Sequence, residues 1–283
     1  MNRQDIFLSV IIPAYNESKR IKRTLADIRR YFKHMEYGYE ILVINDGSKD
    51  ATSEVVRAYE QKLPGLRLIS FKRNLGKGAA VRTGMIEARG EYRLFMDADN
   101  SVTIDTVEAF FDAIENEGHD IVIGSIAHPQ ARYVEHNGYY RRLLGSISKL
   151  LIRTVAIPGI RDTQRGFKLF TRAAAEAIFP LQQIERFGFD IEILYIARRH
   201  GFSVKEMPVV WDNPAGSTVS PRAYFDSFIE LAKILWNGIT GKYRPLVEAR
   251  REGRKRPIPS PRKRRLEGPR NTEELPLPSL IID

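Results

Sequence analysis

Three short turns hold the acidic and polar residues in this sequence that are best suited to chemistry. They are Pro13-Ala14-Tyr15-Asn16-Glu17, Asp46-Gly47-Ser48-Lys49-Asp50 and Asp97-Ala98-Asp99-Asn100. Each turn follows an apolar run that is typical of a strand buried on both faces. In an open α/β sheet, ligands bind beyond the carboxyl ends of the strands, where such loops converge. We therefore expect the three turns to form one site.

The turn at Asp97-Ala98-Asp99 predicts a metal site. Its two carboxylates leave the same strand end and repel each other unless a cation lies beside them. Oxygen ligands suit a hard divalent ion, Mg2+ or Mn2+, which keeps other positions for water and for substrate phosphate oxygens. A surface turn that caps the next helix is the alternative.

A glycine-rich segment at Asn74–Gly84 places Lys77 where a predicted strand gives way to a helix. Backbone N–H groups at a helix N-terminus bind phosphate, and a lysine ammonium assists them. The spacing matches neither a Walker A motif nor the dinucleotide-binding fingerprint. The segment indicates either a phosphate site that includes Lys77 or a glycine turn with a solvated lysine.

The elements that must position these turns alternate along the first part of the chain. Apolar β-rich runs predict strands at Phe7–Pro13, Tyr39–Asn45, Leu66–Phe71, Tyr92–Met96 and Asp120–Gly124. Apolar residues that recur every three or four positions predict helices between them, at Glu17–Phe32, Ala51–Gln61, Lys77–Ala88 and Ile104–Glu117. Helix starts are expected at Ser48, Asp50 and Thr103. The alternation predicts an α/β fold with a mostly parallel central sheet flanked by helices.

The second part of the chain is less regular. We expect a long loop at Ile126–Tyr139, strands near Lys168–Phe170 and Val204–Val210, and helices at Tyr140–Thr154, Arg172–Ile178, Asp190–His200 and Ala223–Asn237. From Arg244 the Pro-, Arg- and Glu-rich sequence lacks periodicity, which is typical of a disordered tail. The predicted organisation is one domain at 1–243, divided into halves at 1–124 and 125–243, and a tail at 244–283.

Composition restricts the class of protein. The 283 residues include no cysteine, which excludes disulfides and thiolate metal sites and fits a reducing cytoplasm. No stretch approaches the roughly 20 apolar residues of a spanning helix, so we expect no membrane span. The net charge of +10 is concentrated between Arg244 and Arg265, where ten lysines and arginines face two glutamates, a net of +8. This run has no interleaved aromatic residues, so it does not favour nucleic acid as a partner.

The motifs VIIPAYNE, NDGSKDAT, NLGKGAAVRTG and MDADN occur in an order that resembles glycosyltransferase family 2. The resemblance implies a GT-A, Rossmann-like domain that binds a nucleotide-sugar donor. It assigns nucleotide binding to the first two turns, through Pro13, Tyr15, Glu17 and Asp46. It assigns the metal and the diphosphate to the third turn, through Asp97 and Asp99.

The second half resembles one branch of that family, the dolichyl-phosphate glucosyltransferases, at Gly159–Thr171, Glu185–Ala197 and Trp211 with Gly216-Ser217. The matches run from about Leu8 to Pro221. This resemblance implies inverting transfer of glucose from UDP-glucose to a polyprenyl phosphate, by a protein that is cytoplasmic and peripheral at the membrane. A mannosyltransferase that uses GDP-mannose and a family member with a hydroxyl acceptor are the alternatives.

Two positions depart from the pattern of that branch. Ile126 stands where relatives usually have an arginine, and Arg165 stands where they often have a small residue. The missing arginine is expected to help hold the acceptor phosphate. The residues that would replace it are Arg132, Arg141 and Arg142, which otherwise form a solvated basic face.

Polar residues of the second half supply the remaining candidates. An acceptor phosphate is ionised near neutral pH, its second pKa being about 6, whereas a hydroxyl acceptor would need Asp162 or Asp190 as a base. Asp190 and Glu192 point to different sides of their helix, so we favour Asp190, for which an N-cap role is also open. Gln164 is expected to contact the donor. Asp99 completes the catalytic candidates, because its loss should abolish transfer with either acceptor.

The helix at Ala223–Asn237 has a broad apolar side, formed by Phe225, Phe228, Ile229, Leu231, Ala232, Leu235 and Trp236. Such a stripe either packs in the core or docks on a membrane surface or a membrane-protein partner, and the basic tail would assist on anionic lipid.

Two other classes of protein stay open. A nucleic-acid-binding protein would show steeply salt-dependent binding through the tail, and a nucleotide-sugar sensor would bind donor and metal without turnover.

Overall fold

The computed structural model describes residues 6–128, 131–133, 157, 159–212 and 221–244, with the backbone alone at 132–133 and 221–228. Its strands are β1 (Ile6–Ala14), β2 (Gly38–Asn45), β3 (Leu66–Ser70), β4 (Tyr92–Met96), β5 (Ile121–Ser125), β6 (Arg132–Tyr133), β7 (Phe167–Thr171), β8 (Val204–Pro208) and β9 (Val210–Trp211). Its α-helices are α1 (Ile21–Phe32), α2 (Thr52–Glu60), α3 (Lys77–Glu87), α4 (Val107–Glu117), α5 (Arg172–Ile178), α6 (Phe189–Arg199) and α7 (Pro221–Ile239). Short 3-10 turns lie at Ile104–Thr106 and Phe179–Leu181.

Seven strands form one sheet in the order β3-β2-β1-β4-β7-β5-β8, and β6 pairs with β9 separately. The pairs β1–β2, β1–β4, β2–β3 and β5–β8 are parallel. Strand β7 is antiparallel to both of its neighbours, β4 and β5. The mostly parallel sheet that the sequence predicts is confirmed, and its one reversed strand begins at the edge where β4 and β5 end.

Successive residues of the strands are buried on opposite faces of the sheet. Val10 and Ile12 of β1 join the core under α1, α2 and α4, whereas Ile11 joins the core under α3, α5, α6 and α7. Helices therefore cover both faces, which explains why the strands appear as continuous apolar runs. Burying one such side chain stabilises the fold by about 1.5 to 3 kcal/mol.

Three of the differences between the predicted and the observed elements have a local structural cause. Helix α1 begins at Ile21 rather than Glu17, because the N–H groups of Arg20 and Ile21 donate to the carbonyl of Glu17 in a preceding turn. Ser48 does not start a helix; its hydroxyl accepts a hydrogen bond from the Asn16 N–H instead. The predicted strand at Val204–Val210 is divided, since β8 ends at Pro208 and β9 pairs with β6.

Several predictions concern residues outside the described ranges. They are most of the loop at Ile126–Tyr139, the helix at Tyr140–Thr154 and the tail beyond Arg244. Over the ranges that the structure does describe, no helix has both the length and the apolar character that a membrane span requires.

Candidate active site

Hydrogen bonds join the turns that follow β1 and β2. Ser48 Oγ accepts from the Asn16 N–H at 2.9 Å, and Asn16 Oδ1 accepts from the Lys49 N–H at 2.9 Å. Asn16 has a φ of 56°, a left-handed conformation that asparagine tolerates. One residue further on, the Glu17 N–H donates to Thr52 Oγ1 at 2.9 Å. The first two polar turns are therefore hydrogen-bonded into one edge beside an exposed Tyr15, as the strand-end argument predicts.

The Asp46 carboxylate faces the segment before α3. It accepts hydrogen bonds from the Leu75 N–H at 2.7 Å, the Gly76 N–H at 2.9 Å and Asn74 Nδ2 at 2.8 Å. Asp46 is 3% exposed, so these contacts take up most of its surface. The structure thus gives Asp46 a positioning role, and direct nucleotide binding by Asp46 stays a prediction.

The glycine-rich start of α3 packs against the segment before α6. Gly76 has a φ of 117°, and a Cβ atom there would lie 2.4 Å from the carbonyl oxygen of Glu185. The Ala79 N–H donates to the same oxygen at 3.0 Å. This contact fixes Lys77 at the first position of α3, as predicted.

Lys77 lies against the metal turn. Its Nζ is 2.6 Å from Asp97 Oδ1, and its side chain is 25% exposed. Burial lowers the pKa of Lys77, but the nearby carboxylates of Asp97, Asp190 and Asp99 raise it by more than burial lowers it. The net shift of this pKa is therefore upward. The solvated-lysine alternative is therefore wrong, and Lys77 is a cation held at the site.

Both aspartates of the third turn keep part of their carboxylate accessible, at 30% exposed for Asp97 and 24% for Asp99. Asp99 Oδ1 accepts from the backbone N–H and hydroxyl of Ser101, at 3.0 and 2.6 Å. Arg20 Nη1 lies 4.0 Å from Asp99 Oδ2. Neither aspartate caps the helical segment that starts at Ile104, where Thr103 is the N-cap. The capping alternative for this turn is therefore wrong.

Glu17 joins this acidic group. Arg20 binds its carboxylate through Nε and Nη2, both at 2.6 Å. Burial raises the pKa of Glu17, Arg20 opposes that shift, and the like charges of Asp99 and Asp97 add to it. The first and third turns therefore meet. The role of Arg20 was missed, although its spacing of three residues from Glu17 is a local signal.

The donor set fits a divalent cation that substrate oxygens help to bind. Within the part of the chain that the structure describes, no three His, Asp or Glu side chains form a complete metal cluster. Mg2+ in phosphate chemistry is commonly held by one or two carboxylates together with the substrate phosphates. Asp97 and Asp99 supply two such carboxylates, each with one oxygen outside the hydrogen bonds described above.

A second ion pair lies beneath the site. Lys168 of β7 contacts the Asp190 carboxylate of α6, and both side chains are at most 5% exposed. Lys77 and Lys168 both lie over the ring of Phe95, at 5.3 and 5.5 Å from its centroid. Burial raises the pKa of Asp190, although Lys168 and Lys77 oppose that shift. Gly188 is the N-cap of α6, so the N-cap alternative for Asp190 is wrong.

Sequence reasoning overlooked Lys168, whose signal is a lysine inside the apolar run Phe167-Lys168-Leu169-Phe170. A buried lysine needs an anionic partner.

Glu192, in the same helix as Asp190, turns away from Asp190 as predicted. It accepts from the N–H groups of Gln183 and Ile184 and from the Tyr243 hydroxyl, at 2.9, 2.8 and 2.6 Å.

Asp162 is buried at the end of β5. Its Oδ2 accepts from the Ile126 N–H at 3.2 Å and from Arg165 Nε at 3.0 Å, and its Oδ1 accepts from the Gln164 N–H at 3.3 Å. The Gln164 side chain is exposed, and its predicted donor contact stays a prediction. Of the predicted phosphate-binding arginines, Arg132 is described by its backbone in β6, while Arg141 and Arg142 lie outside the described residues.

A mostly parallel sheet covered by helices, with a lysine, an acidic turn and a glycine-rich helix start at its carboxyl edge, defines a GT-A glycosyltransferase. The model of glycosyl transferase family 2 matches residues 9–179, and the chain belongs to that family. The predicted family and fold are thereby confirmed, and the protein is an enzyme that transfers a sugar.

Similar proteins point to one branch of this family. Dolichyl-phosphate beta-glucosyltransferase of Dictyostelium discoideum is 40% identical over 240 residues, which cover 81% of this chain and 72% of that protein. The Homo sapiens protein of the same name is 36% identical over 240 residues, covering 81% and 73%. The Saccharomyces cerevisiae protein is 37% identical over 235 residues, covering 77% and 70%. The chain is thus similar to the branch that its second half resembles.

Solved structures share the fold at low identity. Glucosyl-3-phosphoglycerate synthase from Mycobacterium tuberculosis, in complex with Mn2+, UDP and glucosyl-3-phosphoglycerate, has a TM-score of 0.62 at 17% identity. The match covers 81% of this chain and 80% of that one. S. aureus TarS with UDP-GlcNAc has a TM-score of 0.52 at 20% identity, covering 82% and 67%. At these identities the similarity establishes the GT-A fold.

Proposed function

We propose that this enzyme transfers glucose from UDP-glucose to dolichyl phosphate or a related polyprenyl phosphate, with inversion at the anomeric carbon. The observation that carries the proposal is the meeting of Lys77, Asp97, Asp99 and Glu17 at one sheet edge, in a chain similar to dolichyl-phosphate beta-glucosyltransferases. A UDP donor is also supported by two proteins of the same fold whose structures hold UDP or UDP-GlcNAc.

On the donor side, the turns after β1 and β2 would hold the nucleotide through Pro13, Tyr15 and Glu17, beside the segment that Asp46 positions. Lys77 would meet the diphosphate, because it already lies beside the carboxylates of the metal turn. Asp97 and Asp99 would hold Mg2+ or Mn2+, which when bound supplies positive charge to the departing diphosphate.

In the proposed transfer, a phosphate oxygen of the lipid forms a bond to the anomeric carbon from the face opposite UDP. The bond between that carbon and the β-phosphate oxygen breaks, and UDP leaves with the electron pair. The attacking phosphate is already ionised, its second pKa being about 6. Asp162 and Asp190 are each 4% exposed and already hydrogen-bonded, which supports an acceptor that needs no base from either of them.

We also propose that the enzyme works at the cytoplasmic face of the membrane, on anionic lipid. Leu231 of α7 is in the core, and Leu235 packs against it, so the core interpretation holds for that side of the helix. Ile229, Trp236 and Ile239 are nevertheless 44%, 64% and 78% exposed. Ile229 and Trp236 line a groove of about 680 Å³ whose other lining residues include the cations Arg186, Lys233 and Lys242. Apolar residues rimmed by cations suit a lipid surface, and the +8 run begins at Arg244.

The transfer is tested by UDP release from UDP-glucose, with GDP-mannose in parallel, in Mg2+ or Mn2+ with detergent-dispersed polyprenyl phosphate. We expect lipid- and metal-dependent release with UDP-glucose that Asp99→Ala abolishes. Asp105→Ala, at an exposed aspartate of the following segment, is the matched control and should keep the parent rate. Nucleotide release with GDP-mannose alone would make GDP-mannose the donor in place of UDP-glucose. No release with either donor, despite UDP binding, would refute the proposal that the enzyme transfers a sugar to polyprenyl phosphate.

Membrane binding is tested by flotation with vesicles of phosphatidylglycerol and phosphatidylcholine. Trp236→Glu should reduce the bound fraction, whereas Ile86→Glu, at a 47% exposed residue of α3, should not. Equal binding by the parent and Trp236→Glu would rule out α7 as the docking face.

A further inference from the structure

Arg165 is held at three points. Its Nε donates to Asp162 Oδ2 at 3.0 Å, and its Cζ lies 4.6 Å from the ring centroid of Trp211. Its backbone carbonyl accepts from the buried ammonium of Lys168, which Asp190 neutralises. A guanidinium fixed in this way loses little conformational freedom when it binds a ligand.

The terminal nitrogens of Arg165 are available to a ligand. Across the described residues, the hydrogen bonds of this guanidinium involve Nε, and Nη1 and Nη2 donate to no protein group. The side chain is 23% exposed, so water or a ligand reaches it. A guanidinium whose paired terminal N–H groups are open binds phosphate oxygens in a bidentate manner.

Topology places this guanidinium on the β5 side of the metal turn. Strand β7 starts at the edge where β4 and β5 end, since it is antiparallel to both. The residue before β7, Gly166, touches Asp97, because a Cβ atom there would lie 2.0 Å from Asp97 Oδ2. The partner of Arg165, Asp162, also accepts from the N–H of Ile126, just beyond β5. Arg165 therefore lies between the metal turn and the end of β5, where Ile126 carries no charge.

We propose that Arg165 binds the phosphate of the lipid acceptor, with Trp211 and Asp162 positioning its guanidinium. The inference rests on the proposed function, because it names the acceptor contact of that reaction. The ligand is a phosphomonoester dianion, and Nη1 and Nη2 supply the two donors.

The first experiment measures transfer kinetics for the parent, Arg165→Met, Arg165→Lys and Arg161→Met. Arg161 is an exposed arginine of the same loop and is the matched control. Losing a charged hydrogen-bonding partner typically changes affinity by about 10- to 100-fold. We therefore expect Arg165→Met to raise KM for the lipid phosphate by about that factor. The KM of Arg165→Lys should lie between those of the parent and Arg165→Met. The dissociation constant of UDP-glucose should change by less than about twofold in all variants.

The second experiment measures binding without turnover. The chain has two tryptophans, Trp211 and Trp236, so Trp236→Phe leaves Trp211 as the only one. Farnesyl phosphate should change Trp211 fluorescence in this background, and Arg165→Met should remove the change. Farnesol tests the lipid chain without phosphate and should give no change, while inorganic phosphate tests the headgroup alone and should bind more weakly.

The outcomes separate this inference from the function on which it rests. A parent enzyme that transfers to lipid phosphate, with an unchanged lipid KM in Arg165→Met, would overturn the role of Arg165 alone. Weaker UDP-glucose binding in Arg165→Met, equal to the change in lipid KM, would also overturn it and make Arg165 a structural or donor residue. A parent with no transfer to any polyprenyl phosphate would overturn the proposed function and this inference together.

Discussion

Replacing Asp46 with asparagine tests whether one buried carboxylate organises the donor side of the site. Its two oxygens accept from different backbone groups, Oδ1 from the Leu75 N–H and Oδ2 from the Gly76 N–H and Asn74 Nδ2. Asparagine keeps the shape of the side chain but has one carbonyl oxygen. Its NH2 group must therefore face at least one of the backbone N–H groups.

The expected cost follows from these contacts. Asn74 is able to turn its own carbonyl toward the new amide, but the N–H groups of Leu75 and Gly76 cannot both be served. A buried N–H group without an acceptor costs about 1 to 3 kcal/mol, and the remaining bonds lose the assistance of the charge. We expect Asp46→Asn to lower the free energy of unfolding by about 2 to 4 kcal/mol. At the slope typical of large domains, this lowers Tm by about 5 to 15 °C.

The assay is urea unfolding followed by circular dichroism, with UDP binding measured by calorimetry at a temperature where every variant is folded. Asp112→Asn, at an exposed aspartate of α4, is the matched control and should leave both quantities unchanged. A free energy of unfolding within about 0.5 kcal/mol of the parent would refute the positioning role. A stable variant that no longer binds UDP would make Asp46 a direct nucleotide contact.

Three further substitutions test the remaining site. Gly166→Ala would place a Cβ atom 2.0 to 2.3 Å from the Asp97 carboxylate atoms, so UDP release should fall by about 100-fold, whereas the control Asp105→Ala, at an exposed aspartate, should keep the parent rate. Lys77→Met removes the cation that competes for Asp97, so calorimetry should show tighter Mn2+ binding without nucleotide but weaker UDP-glucose binding; equal values in the parent, Lys77→Met and Lys72→Met would contradict this. Burial raises the pKa of Glu192 above its ordinary 4.5, so its stabilising contribution is present below about pH 4.5 and is lost as the pH rises through the folded-state pKa. Urea unfolding between about pH 4 and 7 should therefore show a shallower decline in Glu192→Gln than in the parent, and equal slopes would contradict the assignment.

The elements that the sequence predicts best are those whose pattern is local. The runs around Val10, Leu42 and Leu94 are apolar on both faces of the sheet, so both their type and their extent follow from burial. The turns after β1, β2 and β4 follow in the same way, because parallel strands end at a shared edge. Asp97, Asp99 and Glu17 are accordingly found together at that edge.

Contacts between distant segments are not visible in a local pattern. Nothing near Lys168 indicates that its partner is Asp190 in α6, or that β7 is reversed and inserted between β4 and β5. The hydrogen bonds of Asp46 to the 74–76 segment are equally non-local. The hydrophobic pattern records which face of an element is buried, but it does not record which element covers that face.

The place of β7 in the sheet has a consequence for how the protein is made. During synthesis β1 to β4 leave the ribosome first, and β5, whose neighbours in the sheet are β7 and β8, follows with no strand to pair with. The edge of β4 stays unpaired until Phe167–Thr171 has been translated, and an unpaired edge is where nascent chains aggregate. The arriving segment also brings Gly166 against Asp97, and Lys168 pairs with Asp190 once α6 has followed. A chain released before that point would therefore lack both the β4–β7 pairing and the packing of Gly166 on the metal turn, so incomplete products of translation should be inactive as well as unstable.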